Sequence, residues 1–151
     1  MNHKIAYNDL RNQALNVAPE ELNLNLESEN QVYASLIDFK IKDKSMSLFC
    51  SFDGTVSLYF EDREPIVGLG MIEGIKTAAT SLLISSGQTL GKLELFDESK
   101  IDNSFEKERV VLMASQRYVA FVNNQNNSRE IQFLDFLIQN VTSEIRKSDV
   151  I

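Results

Sequence analysis

The stretch S-M-S-L-F-C-S-F-D-G-T-V-S-L-Y-F, residues 45–60, decides how this chain folds. Apolar residues alternate with small polar ones on either side of Asp53-Gly54, the pattern of a β-hairpin. Two registers compete. A plain two-residue turn at Asp53-Gly54 sets residue 50 opposite residue 57 and mixes apolar with polar side chains on both faces. A three-residue loop, Phe52-Asp53-Gly54, with Gly54 left-handed and making a bulge, pairs Cys50 with Val56, Leu48 with Leu58 and Met46 with Phe60. One face then carries Met46, Leu48, Cys50, Val56, Leu58 and Phe60, and the other Ser47, Phe49, Ser51, Thr55, Ser57 and Tyr59. A one-residue slip turns a strand's whole apolar set to the wrong side, so the pattern favours the bulged register. Gly54 has no Cβ to clash at positive φ.

Beyond the hairpin the period changes. Glu61-Asp62-Arg63-Glu64 is a charged break and Pro65 cannot donate to a ladder. After Gly68 and Gly70, residues Ile72, Ile75, Ala79, Leu82 and Leu83 recur at helical spacing, and Gly87 is placed to cap that helix. Gly74 weakens the helix and lets it lie close on the sheet. Upstream, Tyr33, Ile37, Phe39 and Ile41 share one face of a strand, with Asp38, Lys40 and Lys42 opposite. A short helix over 32–37 is the alternative, and the later alternation favours the strand. Asn8 to Val17 reads as a short helix with Asn8 as its N-cap, and Pro19-Glu20-Glu21 as a further helical turn.

In the last third, Leu93 and Leu95 suggest a short strand, and 97–107 a polar loop. Residues 110–122 form a second hairpin turning at Gln116-Arg117. That turn places Val110, Leu112, Ala114, Val119 and Phe121 on one face and Val111, Met113, Tyr118 and Val122 on the other. Apolar content on both faces suggests inner strands, partly covered on each side. After an Asn/Gln loop at 123–127, Ser128 caps a helix whose stripe is Ile131, Leu134, Leu137, Ile138, Val141 and Ile145, widened by Phe133 and Phe136. Together these patterns predict an α+β fold, a mainly antiparallel sheet of about five strands with helices packed on it. The chain reads as one domain over 1–151, with an N-terminal helical segment at about 8–24 and a sheet-and-helix core at about 32–147.

The segment D-G-T-V-S-L-Y-F (53–60), running into I-V-G-L-G (66–70) and a helix, resembles a group of uncharacterised bacterial proteins. In that group a DGTxSLYF strand leads into a Gly-rich turn, a helix and a later hairpin. P-E-E-L (19–22) and V-Y-A-S-L-I-D-F (32–39) are similar too. The group tends to carry glycines where this chain has Asp62-Arg63-Glu64-Pro65. The resemblance implies the order of elements and carries no activity with it.

Composition narrows the function classes. The chain has 151 residues with 43% hydrophobic content and a net charge of −7, from fifteen basic and twenty-two acidic residues. A chain of this length buries roughly two-thirds of its unfolded surface without disulfide or metal. Its one basic cluster, Lys40, Lys42 and Lys44, is interrupted by acids, so a nucleic-acid surface is not expected. No apolar run approaches the roughly 20 residues of a membrane span, and the first residues lack a signal-peptide pattern, so the expected compartment is the cytoplasm. Cys50 reads as a buried small hydrophobe. His3, the one histidine, sits in a terminus expected to fray, which argues against triad and Cys/His zinc chemistry. Gly68, Gly70 and Gly74 echo a dinucleotide loop only faintly, because a hairpin precedes them and Glu61, Asp62 and Glu64 would repel phosphate. Those acids offer oxygen ligands to a hard cation, or they are an exposed strand-end loop. No catalytic residue and no cofactor is assigned.

Two functions remain. The first is a non-catalytic acidic protein-interaction domain, an immunity- or antitoxin-like inhibitor or an adaptor, with a basic protein as partner. Its candidate contacts are Glu20, Glu21, Glu27 and Glu29, from a run without Lys or Arg between Asn12 and Phe39, together with Phe49 and Tyr59 on the hairpin's polar face. That face reads equally as ordinary solvent surface. The second is a small-ligand sensor or enzyme using carboxylate, Tyr and Lys groups in a cleft.

Overall fold

A computed structural model describes residues 2–97, 108–122 and 128–150, so the loop expected at 123–127, and all but Asp97 of the one expected at 97–107, lie outside the described residues. The hairpin takes the bulged register. Strand β2 (Lys44–Ser51) pairs with β3 (Val56–Phe60) through Met46 opposite Phe60, Leu48 opposite Leu58 and Cys50 opposite Val56. Gly54 has a φ of 94°, and the loop closes through Ser51 N to Thr55 O at 3.0 Å. Asp53 Oδ1 accepts from Ser51 Oγ and Thr55 N, which fixes the loop's shape. Strand β1 (Ala34–Ile41) reaches β2 by a tight turn in which Lys42 and Asp43 both have positive φ. Those are the dihedrals of a two-residue turn that matches strand twist.

Among the described residues six strands make one antiparallel sheet in the order β3-β2-β1-β5-β6-β4. Here β4 is Glu94–Leu95, β5 Arg109–Met113 and β6 Arg117–Phe121. The outer side of β3 is met by Ile66, which exchanges backbone hydrogen bonds with Leu58 at 2.8 and 2.9 Å. Helices α2 (Glu73–Ser86) and α3 (Arg129–Lys147) cover one face of the sheet. Ile75, Leu82, Leu134, Ile138 and Val141 pack there on Ile37, Leu48, Cys50, Leu58, Val110 and Leu112. Burial pushes the Cys50 thiol up to about 12. Ser128 caps α3, its Oγ accepting from Ile131 N at 3.2 Å.

The other face is covered as well, as the apolar content of both faces of residues 110–122 implied and the polar residues of the 45–60 hairpin did not. Helix α1 begins at His3, not near Asn8, and runs to Leu15. Its N-cap is Asn2, whose Oδ1 accepts from Lys4 N at 3.0 Å. Tyr7, Ala14 and Leu15 of this helix pack on Leu36, Phe49, Tyr59, Val111, Met113 and Val119. The face that carries Phe49 and Tyr59 is therefore interior: both are buried, at 7% and 8% exposure.

Three further expectations are corrected. The second hairpin turns over Ala114–Gln116, with Met113 opposite Arg117 and Leu112 opposite Tyr118. Val119 and Phe121 thus lie with Val111 and Met113, and Val122 packs with Val110. Phe133 and Phe136 do not widen the α3 stripe and are exposed. Gly87 does stand at the C-cap of α2, in a right-handed conformation, and the chain continues into a 3₁₀ turn. A Cβ there would collide with the Asn30 carbonyl oxygen, so close passage of the chain explains this glycine. Tyr33 precedes β1 and packs with the α1 side, opposite Ile37.

Candidate functional site

The N-terminal segment between α1 and β1 is built by alternation. After a 3₁₀ turn at Pro19–Leu22, Asn23 adopts a left-handed conformation. The chain then sets Leu22, Leu24 and Leu26 half-buried against the α1-side core, while Asn23, Asn25 and Glu27 stay exposed. Glu20, Glu21 and Glu29 are exposed as well. All four glutamates singled out in the sequence therefore stand on one exposed segment, and Phe49 and Tyr59 stay apart from them in the interior. The segment is tied down at both ends. Tyr33 Oη donates to Val17 O at 2.9 Å, and Ser115 Oγ donates to Glu29 O at 3.1 Å.

Beneath α1 lies a polar centre that the sequence reading missed. Ser47, Asp38 and Arg109 face one another across β2, β1 and β5. Arg11 reaches the same carboxylate from α1, with Nε to Oδ1 at 3.0 Å and Nη2 to Oδ2 at 2.7 Å. Arg109 donates through Nε and Nη2 to Oδ2 at 3.1 and 3.0 Å. Ser47 Oγ donates to Oδ1 at 2.5 Å. Its proton so committed, Ser47 accepts from Tyr7 Oη at 2.7 Å. Burial pushes the Tyr7 phenol up to about 12. Tyr7 and Arg11 are four residues apart, hence on one side of the helix. Asp38 and Ser47 are 0% exposed and Arg11 1%, so this centre anchors α1 to the sheet and presents no reacting group outward. The available signal was an acid following Ala34 and Leu36 at even spacing, on a side assigned to solvent because Lys40 and Lys42 share it.

A cleft of about 340 Å³ lies between the acidic segment and the β5–β6 turn. Pro19, Glu20, Leu26, Tyr33 and Arg117 are among the residues that line it. Arg117 is half-buried, and its Nε is sealed from solvent with no hydrogen-bond partner among the described residues. Burial pushes the Tyr33 phenol up, while the charge of Arg117 pulls it down and those of Glu20 and Glu21 raise it.

The glycine-rich turn has packing reasons for its composition. Gly68 is left-handed, a Cβ on Gly70 would collide with the Gly54 carbonyl oxygen, and one on Gly74 would lie 2.5 Å from Glu144 Oε2 of α3. Gly74 thus makes room for a neighbouring helix, not for the sheet. Two of the neighbouring acids have contacts: Glu61 accepts from Ser45 N at 2.8 Å, and Glu64 lies 3.8 Å from His3, which is the first residue of α1. Among the described residues no three His, Cys, Asp or Glu side chains are grouped to hold a metal ion. Among the same residues no helix is long and apolar enough to cross a membrane. No protein-family model matches the chain, and no curated protein or solved structure matches it.

Proposed function

We propose that this chain is an acidic, non-catalytic protein-interaction domain, of the immunity- or antitoxin-like inhibitor or adaptor kind, that receives a basic protein partner on its 19–29 segment. One observation carries the reading: Glu20, Glu21, Glu27 and Glu29 are all exposed on a segment without a single Lys or Arg. Such a surface attracts an oppositely charged partner during diffusion and raises the rate of encounter. The segment's leucines hold the acids outward on a braced backbone, so little ordering is needed on binding.

The test is kinetic. With the partner identified by co-purification, association is followed by stopped-flow as ionic strength rises, for the natural chain and for Glu20→Gln/Glu21→Gln/Glu27→Gln/Glu29→Gln. Exposed charges are screened beyond about 8 Å at physiological salt, so the on-rate falls with salt. The quadruple variant associates about tenfold more slowly and loses most of the salt dependence, with an unchanged unfolding midpoint. An on-rate indifferent to both changes removes this face from binding. Turnover of a small substrate that disappears on mutating a cleft carboxylate overturns the non-catalytic reading altogether.

A further inference from the structure

The cleft beside Arg117 has a chemistry of its own, which shares Glu20 with the partner-binding segment and does not rest on that reading. The Arg117 guanidinium lines the cleft half-buried, and its Nε is sealed from water without a hydrogen-bond partner among the described residues, so its Nη groups are the donors a ligand in the cleft can meet. Arginine presents planar paired donors suited to a carboxylate. Glu20, an acceptor of cations, lines the same cleft. Tyr33 has already committed its proton to Val17 O, so its oxygen is left to accept. Pro19 and Leu26 supply apolar wall to that cleft. We infer that this cleft binds a small amino carboxylate, its carboxylate on Arg117, its ammonium toward Glu20 and the Tyr33 oxygen, and its aliphatic body against Pro19 and Leu26.

The alternatives fit less well. A phosphate would bring at least one further negative charge against Glu20 and the nearby Glu21. A plain amine leaves Arg117 unmatched, and a plain carboxylate leaves Glu20 unused. The volume of about 340 Å³ suits a compact ligand.

The experiment titrates the whole chain with L-leucine, N-acetyl-L-leucine, L-leucinamide and inorganic phosphate, by calorimetry and by NMR of the arginine Nε–H signals. L-leucine should bind and shift the Arg117 signal. N-acetyl-L-leucine, which lacks the ammonium and imitates a peptide C-terminus, and L-leucinamide, which lacks the carboxylate, should each bind about tenfold more weakly. Glu20→Gln should weaken L-leucine by a similar factor and leave N-acetyl-L-leucine unchanged. Arg117→Gln should abolish L-leucine binding, and Arg117→Lys should restore part of it. Equal binding of N-acetyl-L-leucine overturns the zwitterion assignment, as does tighter binding of phosphate. No shift of the Arg117 signal with L-leucine at tens of millimolar overturns the site, and that readout needs no variant to fold. Retained L-leucine binding in Arg117→Gln overturns it as well.

Discussion

Taking away the carboxylate of Asp38 leaves two guanidinium groups buried under α1 beside an empty acceptor position. Breaking a buried ion pair by removing one partner typically costs about 3–5 kcal/mol. We expect Asp38→Ala to lose stability on that scale, read as a drop in the urea midpoint at an unchanged slope. Glu108, just before β5, is the opposite case. Its Oε1 is buried without a hydrogen-bond partner among the described residues, and burial together with the charge of Asp135 on α3 pushes its carboxyl from 4.5 up to about 7. Below pH 4.5 the group is protonated in both states. Between there and about 7 the folded chain keeps a proton that the unfolded chain has lost, so stability falls as pH rises through that window and then levels off. Glu108→Gln should flatten this slope in urea midpoints measured from pH 4.5 to 8. A slope identical to that of the natural chain would remove Glu108 as its source.

Glycines set how closely the elements approach, and two of them predict opposite outcomes. Gly70→Ala drives a methyl into the Gly54 carbonyl, a backbone atom of the hairpin loop that cannot swing aside. A loss of about 1–3 kcal/mol is expected from that overpacking. Gly74→Ala meets only the end of the Glu144 side chain, 2.5 Å away, which can rotate. The gain in helix propensity, about 1 kcal/mol, then makes it neutral or stabilising by thermal unfolding. Legibility at this scale followed contrast between faces. The 45–60 hairpin alternates apolar with polar, so only one register sorts its residues. The hairpin at 109–121 is apolar on both faces, parity carried no information, and the assumed turn at Gln116-Arg117 moved Val119 and Phe121 to the wrong side. Helix α1 was read with its start five residues late because its buried side includes Tyr7 and Arg11 instead of an apolar stripe. Phe133 and Phe136 misled by being hydrophobic, although an exposed apolar side chain is common.

Over the whole molecule, the antiparallel α+β plan was readable from period changes, and covering on both sides from the apolar strands at 110–122, whereas the way α1 closes the second face was not. Its polar centre joins residues from α1, β1, β2 and β5, which only the tertiary arrangement brings together. The acidic run could be read from composition. The cleft beside it could not, because Pro19 and Arg117 meet only once the segment crosses the β5–β6 turn. The bridge between Ile66 and Leu58 has a consequence for behaviour in solution. An open strand edge is a template on which other chains add, the first step toward aggregates. Here β4 is only two residues long, and on the far side Ile66 occupies both backbone groups of Leu58, with charged Glu61–Glu64 before it. Ile66→Pro removes the N–H that Leu58 O accepts at 2.9 Å and opens that edge. Light scattering of this variant should then rise with protein concentration at temperatures where the natural chain stays clear, with the sheet growing outward from β3.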